Sequence, residues 1–509
     1  MLRYGLKLSP LVIGPWYALS TPQQKKDVVA IGYAGANAAR VVPFLVTSIY
    51  DYYKSLNMHP YPSEQHDKEK DQCHERVAYK LLSLCVKNRG IYLKLGQYIG
   101  SLDTIAPRKY VEVLRVLQDE GPHVPFDDIK IVIENDFGCK LEDLFENFEQ
   151  TPIAAASLAQ VHKAFYKKSK QPVAVKVQFP TLLLQTKYDM VVTRTTVQVI
   201  NFVASKMGNN SINFLQLFEN FKSSRIKELD FTLEFKNGND TKQHFQGDER
   251  IYIPNYIGKP KERVLIMEFI DDAFKINQVD EILNKFGKPL TQEYVCRSLI
   301  DIFAKMIFFY GVVHVDGHPG NILVREHPDH PGRPQVVLLD HGHYVRIDDE
   351  FRNNFSKLWY SMVTFNKKNI KEIGTQFCGT HYRYLPILFT YRTIDSQKPL
   401  GESFRRDEKQ LLKVSNDLSL ENIGFLLQKL PWDLILIFKA CHFVTIHNKK
   451  FGIKSRERFF RFTDHCMISL SNNSRMSYYK MKLSFYLKLF FLEYFPRIFR
   501  LLYTSTTSD

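Results

Sequence analysis

Hydrophobic residues recur along this chain in two rhythms, and each rhythm predicts a different kind of element. Residues 264–270 and residues 336–339 are short apolar runs, typical of buried strands. Residues 214–236 instead carry Leu and Phe at intervals that are partly helical, which predicts a helix. The pattern therefore predicts an α+β fold in which strands and helices are mixed.

The segment near the N-terminus is apolar in another way. Residues 28–50 are rich in Ala and Gly, but Arg40 and Pro43 interrupt them. Small residues favour close helix packing in a membrane, whereas an Arg in the middle of a span costs about 2.5–3.5 kcal/mol on insertion scales. Two alternatives stay open: a membrane span, or a helix that is buried or interfacial. Residues 1–26 contain basic residues and no acidic one, a bias shared with mitochondrial transit peptides.

Charge changes this picture at the other end of the chain. The 509 residues, enough for two to four structural units, carry a net charge of +15, which calls for an anionic partner. More than half of that excess lies in residues 449–509, which hold twelve basic and four acidic residues. Residues 483–503 interleave basic residues with Leu, Phe and Tyr. They predict either a basic amphipathic helix on an anionic bilayer or a helix that covers the core.

Two classes of function find no support in the sequence. The seven cysteines are widely spaced and include no C-x-x-C pair, which argues against a zinc site and against a disulfide-stapled secreted protein. We expect most of them to be small buried apolar residues. No recognisable nucleic-acid-binding motif accompanies the positive charge, so we expect no nucleic acid partner.

The strongest chemical signal is the loop at residues 313–321, which reads V-H-V-D-G-H-P-G-N. It has the H-x-D-x-x-x-x-N spacing of a kinase catalytic loop. Asp316 would orient the attacking hydroxyl and accept its proton, and Asn321 would hold a magnesium ion. A D-H-G sequence follows the predicted strand at residues 336–339, and its Asp340 stands where a kinase places a second magnesium ligand.

Further patterns stand upstream in the order that a kinase requires. Residues 173–176 read V-A-V-K, like the strand whose Lys pairs with nucleotide phosphates and with a carboxylate on a helix. The Lys is Lys176, and Glu228, Asp230 or Glu234 could each be its partner. The run at residues 264–270 would supply the hinge beside adenine. Four such patterns in one order predict a protein-kinase-like fold.

Two differences from protein kinases bear on substrate and nucleotide. Residues 154–159 read A-A-A-S-L-A where a protein kinase has G-x-G-x-x-G. Alanine does not adopt positive φ cheaply, so this loop would bind a nucleotide along a different backbone path. No A-P-E follows the D-H-G, which removes the peptide-docking segment and favours a small molecule or a lipid as the substrate.

Together these motifs resemble the UbiB family, the aarF-domain atypical kinases. Residues 94–97 match its K-x-G-Q signature, residues 228–230 its E-x-D motif, and the alanine-rich loop its counterpart. The resemblance implies a two-lobe protein-kinase-like fold with an N-terminal helical extension and a helical C-terminal tail. The implied catalytic residues are Asp316, Lys176 and Glu234, and the metal ligands are Asn321 and Asp340. The implied nucleotide-binding residues are Lys94, Gln97, Ala154, Ala155, Ala156, Ser157, Lys176, Met267 and Glu268.

In that family the K-x-G-Q helix packs over the active site and occludes the place of a protein substrate. Here Lys94 and Gln97 share a helix face, so both could point at the nucleotide. A second, apolar face would consist of Ile91, Leu95, Tyr98 and Leu102. One departure from the family is Gly317, which follows Asp316 where the family has Pro. We expect this glycine to loosen the loop and to affect catalytic rate more than nucleotide binding.

The resemblance implies an ATP- and Mg²⁺-dependent kinase or ATPase in mitochondrial lipid and quinone homeostasis. Its partners would be the nucleotide, an anionic membrane, and a lipid or quinone-like ligand. The alternative is a scaffold with negligible turnover, in which ATP binding changes membrane or partner binding. The predicted domains are residues 1–60 (targeting or membrane segment), 61–150 (helical extension), 151–275 (N-lobe), 276–450 (C-lobe) and 451–509 (basic tail).

Overall fold

The structure, a computed structural model, describes residues 22–60, 63–100, 106–118, 123–155, 158–180, 182–206, 213–396, 400–401, 430–472 and 474–493. The chain divides into two compact units. Unit 1 is Met1–Phe235 with Asn255–Phe269, and unit 2 is Lys236–Pro254 with Ile270–Asp509. Each unit combines helices with small sheets, which confirms the predicted α+β class. The boundaries of the five predicted domains stay predictions.

The elements are numbered here in chain order through both units. The α-helices of four residues or more in the described part of the chain are α1 (Pro22–Leu56), α2 (Glu64–Asn88), α3 (Gly90–Gly100), α4 (Arg108–Leu114), α5 (Phe126–Phe137), α6 (Leu141–Leu144), α7 (Leu182–Lys206), α8 (Phe214–Lys227), α9 (Phe231–His244), α10 (Val279–Phe286), α11 (Arg297–Lys305), α12 (Asp349–Val363), α13 (Lys367–Cys378), α14 (Leu385–Thr390), α15 (Trp432–Lys450), α16 (Ser455–Leu470) and α17 (Arg475–Glu493). The strands are β1 (Phe145–Glu146), β2 (Ala154–Ala155), β3 (Ala159–Tyr166), β4 (Gln171–Gln178), β5 (Ile251–Tyr252), β6 (Val264–Glu268), β7 (Phe274–Lys275), β8 (Val312–His314), β9 (Ile322–His327), β10 (His330–Leu338) and β11 (Tyr344–Arg346).

The sheet of unit 1 has the strand order β1-β3-β4-β6, with β2 also paired to β3, and every pair is antiparallel. Strand β4 shows how the sequence sets its two faces. Val173, Val175 and Val177 are fully buried in one core cluster with residues of α5. Successive side chains of a strand alternate between faces, so Lys176 lies on the face opposite this cluster.

Unit 2 contains two small sheets that hold the predicted catalytic motifs between them. One sheet has the order β5-β10-β9-β7, in which only β5 and β10 are parallel, and the other pairs β8 with β11. The loop with Asp316 leads from β8 to β9, and the D-H-G sequence leads from β10 to β11. The N–H of Leu339 donates to the carbonyl of Asn321 at 2.8 Å. This hydrogen bond holds the two loops side by side.

Helix α1 contains the whole apolar segment at residues 28–50 and packs against α2 and α7 within unit 1. Arg40, the residue that argues against a membrane span, has internal partners there. Its Nη1 donates to Asn37 Oδ1 at 3.1 Å and to Asn88 Oδ1 at 3.2 Å. Across the described residues, the length and apolar character needed to cross a membrane are not combined in any helix.

The cysteines behave as the sequence predicts. None is in a disulfide, and all except Cys139 are buried. Burial raises the pKa of Cys85, Cys296, Cys378 and Cys441 to about 12. Thiols that stay protonated are poor nucleophiles, and the prediction that most cysteines are small buried residues is confirmed.

Candidate active site

Lys176 and Glu234 form a close ion pair in unit 1. The Nζ of Lys176, in β4, lies 2.8 Å from Oε1 and 2.9 Å from Oε2 of Glu234, in the first turn of α9. The two side chains are 13% and 3% exposed. The ring of Phe231 lies 5.2 Å from the same ammonium. Of the three carboxylates that could have been the partner of Lys176, the structure selects Glu234.

A break in the chain explains this choice. The prediction of one helix over residues 214–236 is wrong, because α8 ends at Lys227 and α9 begins at Phe231. Asp230 causes the new start: its Oδ1 accepts hydrogen bonds from the N–H of Thr232 at 2.9 Å and from the hydroxyl of Thr232 at 2.6 Å. An Asp before a helix stabilises the N–H groups of the first turn. Asp230 therefore caps α9 and sets the position of Glu234.

The polar residues of the K-x-G-Q helix make contacts inside unit 1. The Nζ of Lys94 lies 3.4 Å from Oε2 of Glu228, and both side chains are largely buried. The Nε2 of Gln97 donates to the carbonyl of Leu117 at 2.8 Å. The ion pair joins the K-x-G-Q signature to the E-x-D motif. Whether either residue also contacts a nucleotide stays a prediction.

Helix α3 packs tightly in unit 1, though not along the whole predicted apolar face. Ile91 and Tyr98 are buried as expected, but Leu95 is only half-buried. A Cβ added to Gly96 would lie 2.5 Å from the side chain of Leu117, which is closer than real contacts allow. The glycine of K-x-G-Q therefore permits a close approach of α3 to the turn that follows α4.

The alanine-rich loop is described in part. Ala154 and Ala155 form β2 and pair with β3. Ala156 and Ser157 lie outside the described residues, as does Leu102 of the predicted apolar face. The course of this loop over a nucleotide therefore stays a prediction.

Met267 and Glu268 end β6, at the predicted hinge. The N–H of Glu268 donates to the carbonyl of Asn255 at 2.8 Å, and the Glu268 carboxylate accepts from Asn255 Nδ2 at 3.0 Å. The next N–H, of Phe269, donates to the carbonyl of Pro172 at 3.4 Å. An adenine ring bound here would have to use other groups or displace these bonds.

In unit 2, the predicted metal ligands lie on the two loops that the Leu339–Asn321 bond joins. The Nδ2 of Asn321 donates to the carbonyl of Asp316 at 3.2 Å, which assigns the amide oxygen as the atom for a cation. Oδ1 of Asp340 accepts from the N–H of Gly342 at 3.2 Å. Carboxylate and amide oxygens are ligands that Mg²⁺ uses in proteins. The donor set of Asn321 and Asp340 therefore fits Mg²⁺.

The backbone of the D-H-G sequence turns sharply at its first residue. Asp340 has a φ of +51°, in the left-handed region that Asp and Asn tolerate better than most residues. The buried ring of His341 anchors the turn, because its Nε2–H donates to the carbonyl of Leu338 at 3.2 Å. Its Nδ1 accepts from the hydroxyl of Tyr344 at 2.7 Å. These bonds fix the direction in which Asp340 leaves β10.

Two further residues of this region have structural roles that the sequence did not assign to them. His314 is fully buried, and its Nε2–H donates to the carbonyl of Asp340 at 3.0 Å. Burial lowers the pKa of His314 although the charge of Asp316 opposes this, so the ring is neutral and links the two loops. Its place in the H-x-D spacing was an available signal. Lys439 of α15, 4.0 Å from Oδ1 of Asp316, has no such signal because it lies far along the chain.

Comparisons with known proteins agree on one family. Residues 116–374 match the ABC1 atypical kinase-like domain. The chain is 34% identical over 431 residues to the probable serine/threonine-protein kinase abkD of Dictyostelium discoideum, covering 84% of this chain and 60% of that relative. It is 32% identical over 421 residues to AarF domain-containing protein kinase 1 of Gallus gallus, covering 81% and 77%.

Among solved structures, the chain is similar to the complex of Rv3197 with erythromycin from Mycobacterium tuberculosis, with a TM-score of 0.43 and 19% identity. That similarity covers 77% of this chain and 97% of the other. The domain match and the relatives above 30% identity decide the family. The protein belongs to the ABC1 atypical kinase-like family, which confirms the resemblance to the aarF-domain kinases.

Proposed function

We propose that this protein is an ATP- and Mg²⁺-dependent kinase or ATPase of the UbiB type, acting in lipid or quinone homeostasis at a mitochondrial membrane. The observation that carries the proposal is the buried Lys176–Glu234 ion pair. A Lys held on a strand by a helix carboxylate is the arrangement by which kinases grip nucleotide phosphates. Residues 1–26 include basic residues and no acidic one, which supports delivery to mitochondria.

Each proposed residue has one chemical task. Lys176 would bind the phosphates, and Asn321 and Asp340 would hold magnesium, which neutralises charge on the phosphates. Asp316 would accept a hydrogen bond from the nucleophile, a hydroxyl or water, and take its proton as the phosphoryl group is transferred. Catalysis of this kind depends on position and charge more than on covalent chemistry.

The chain that follows the D-H-G sequence supports a small substrate. Strand β11 begins at Tyr344 and α12 at Asp349, so the segment where a protein kinase docks a peptide is very short. A lipid headgroup, a small hydroxyl compound or water needs no such platform. This supports a lipid-linked substrate or ATP hydrolysis over protein phosphorylation.

Direct titration of ATP with Mg²⁺ tests the proposed function. We expect Lys176→Met to weaken ATP affinity at least tenfold, because the side chain that would contact the phosphates is removed. Lys168→Met, on an exposed turn of the same sheet, should bind like the wild type. The double variant K176M/E234Q leaves no unpaired buried carboxylate, so it separates phosphate binding from misfolding. Wild-type affinity in both Lys176 variants would refute the assignment.

Helix α17 offers the surface that we assign to the membrane. Phe485 and Leu489 are buried, and the ring of Phe485 packs against Phe460 of α16 at 5.6 Å. The exposed hydrophobic side chains of this helix are Met476, Tyr479, Leu483, Tyr486, Leu487, Phe490 and Phe491. Four basic residues accompany them, and the helix has no acidic residue before Glu493.

The prediction that this tail covers the core describes one face of α17, and binding to a bilayer through the other face is part of the proposal. One face of α17 covers the core, and the other combines apolar and basic side chains as a bilayer surface requires. The helix begins earlier than the predicted segment 483–503, and residues 494–503 lie outside the described residues.

We expect the triple variant L483S/L487S/F490S to bind anionic liposomes at least tenfold more weakly, because three exposed apolar side chains no longer enter the bilayer. Binding should also fall as salt rises, since the basic residues are then screened. Liposome co-sedimentation measures both effects. The matched variant V42S/V46S/Y50S changes exposed residues of α1. Loss of binding in that variant alone would move the membrane surface to α1.

A further inference from the structure

Helix α15 lies against the catalytic loop of unit 2 through two side chains one turn apart. The Nζ of Lys439 is 4.0 Å from Oδ1 of Asp316, and both side chains are 27% exposed. The ring of Phe443 packs on Gly317, the next residue of the loop. Residues four apart share a helix face, so α15 presents one row of side chains to consecutive loop residues.

The contact at Gly317 fits glycine for a steric reason. A Cβ added there would lie 2.7 Å from Cγ of Phe443, closer than real Cβ contacts. The φ of Gly317 is not in the left-handed region, so its conformation does not itself require glycine. Phe443 is held in turn by the rings of Phe303 and His447, at centroid distances of 5.8 Å and 4.2 Å. The missing side chain therefore admits Phe443, a steric reason for glycine at this position. The expectation that Gly317 loosens the loop stays a prediction.

The catalytic loop has no permanently charged cation of its own beside Asp316. Residues 313–321 include no Lys or Arg. In the proposed reaction the Asp316 carboxylate must stand close to the phosphates, which carry the same sign of charge. A cation beside the carboxylate offsets that repulsion and limits the directions in which the carboxylate can point.

We propose that Lys439 is a positioning residue for phosphoryl transfer, holding the Asp316 carboxylate toward the nucleophile, with the Phe443–Gly317 contact setting the approach of α15 to the loop. This inference rests on the proposed function and adds a helix remote in sequence to its machinery. Lys439 acts through Asp316, so its loss should change the rate of the chemical step and leave nucleotide affinity unchanged.

Steady-state kinetics and ATP titration of Lys439 variants test this. We expect Lys439→Met to lower kcat at least tenfold while Kd for Mg-ATP stays within about twofold. Lys439→Arg should recover at least a third of wild-type kcat, because it restores the cation. Lys449→Met, at an exposed position of the same helix, should match the wild type. Unchanged kcat in K439M would overturn the proposal, as would a loss of affinity equal to the loss of kcat.

A wild-type protein without turnover would refute the proposed function, and the contact between Lys439 and Asp316 would then be tested by stability. We expect the melting-temperature losses of K439M and D316N to be non-additive, with the double variant no worse than the worse single one. Strictly additive losses would overturn the pairing.

A second pair of variants tests the contact at Gly317 and distinguishes it from a general loss of stability. Gly317→Ala should lower the melting temperature and kcat of the wild type, because the new Cβ meets the ring of Phe443. In a Phe443→Ala background the same change should cost nothing further. An equal loss of melting temperature and kcat in both backgrounds would show that the Phe443 ring is not the reason for glycine at this position.

Discussion

Asp340→Asn is expected to abolish the thermal stabilisation of this protein by Mg-nucleotide and to lower turnover at least a hundredfold. The change removes the anionic oxygen proposed for magnesium and leaves the local fold intact. Asn can still accept the hydrogen bond from Gly342 N–H, and it tolerates the φ of +51° at this position. A loss of stabilisation and turnover would therefore result from the missing metal ligand and not from a disrupted turn.

A matched control exists on the same unit. Asp272 is an exposed carboxylate with a φ of +49°, so Asp272→Asn makes the same chemical change in the same backbone conformation. Its nucleotide-dependent melting shift should equal that of the wild type. A wild-type shift in D340N would sink the assignment of Asp340 to the metal.

Asp301→Asn is expected to lower the free energy of unfolding by about 3–5 kcal/mol, the usual cost of removing one partner from a buried ion pair. The Asp301 side chain is 4% exposed. It accepts from Arg461 at 2.6 Å, from His465 at 2.9 Å and from Arg250 at 3.0 Å. It thereby ties α11 to α16 and to the segment before β5. The amide would remove the buried counter-charge that Arg461 and Arg250 share, although Arg250 would keep its ion pair with Asp248.

The free energy of unfolding should depend on pH through the ionisation of Asp301. Burial acts to raise the pKa of Asp301, but hydrogen bonds from His465 and Arg461 outweigh it and hold the pKa well below its ordinary value. A depressed pKa stabilises the fold above the unfolded-state value, near pH 4, and this stability is lost as the pH falls further. Wild type should therefore lose stability more steeply below pH 4 than D301N does.

Chemical denaturation at pH 7 measures the main effect. Asp349→Asn is the control, because the Asp349 side chain is 86% exposed in its ion pair with Arg352. Its unfolding free energy should stay within about 0.5 kcal/mol of wild type. A D301N protein within 1 kcal/mol of wild type would contradict the account of this network, as surface substitutions typically do no more.

Motif spacing and strand alternation could be predicted because both depend on neighbours in sequence. The V-A-V-K run predicted a strand that carries Lys176, and the structure has this strand as β4 with Lys176 opposite the buried valines. The resemblance to the UbiB family implied Glu234 as the partner of Lys176, but the residue pattern alone could not choose it, since Glu228, Asp230 and Glu234 are chemically alike. The choice depends on the cap at Asp230, which separates two helices where the apolar spacing indicates one.

Contacts between helices that are far apart in the chain could not be predicted from the sequence for a different reason. Asp301 and Arg461 are 160 residues apart, and their pairing depends on how α11 packs against α16. Lys439 likewise meets Asp316 through the packing of α15. Gly317 shows the same limit. A glycine suggests a flexible backbone, whereas the close approach of the Phe443 ring to Gly317 is visible only in the structure.

The central claim is that this chain turns over ATP, and hydrolysis in the presence of anionic liposomes tests it most directly. The wild type should hydrolyse Mg-ATP at least a hundredfold faster than Asp316→Ala, while both bind the nucleotide with similar affinity. Equal rates in the two proteins would contradict the claim and support a nucleotide-gated scaffold.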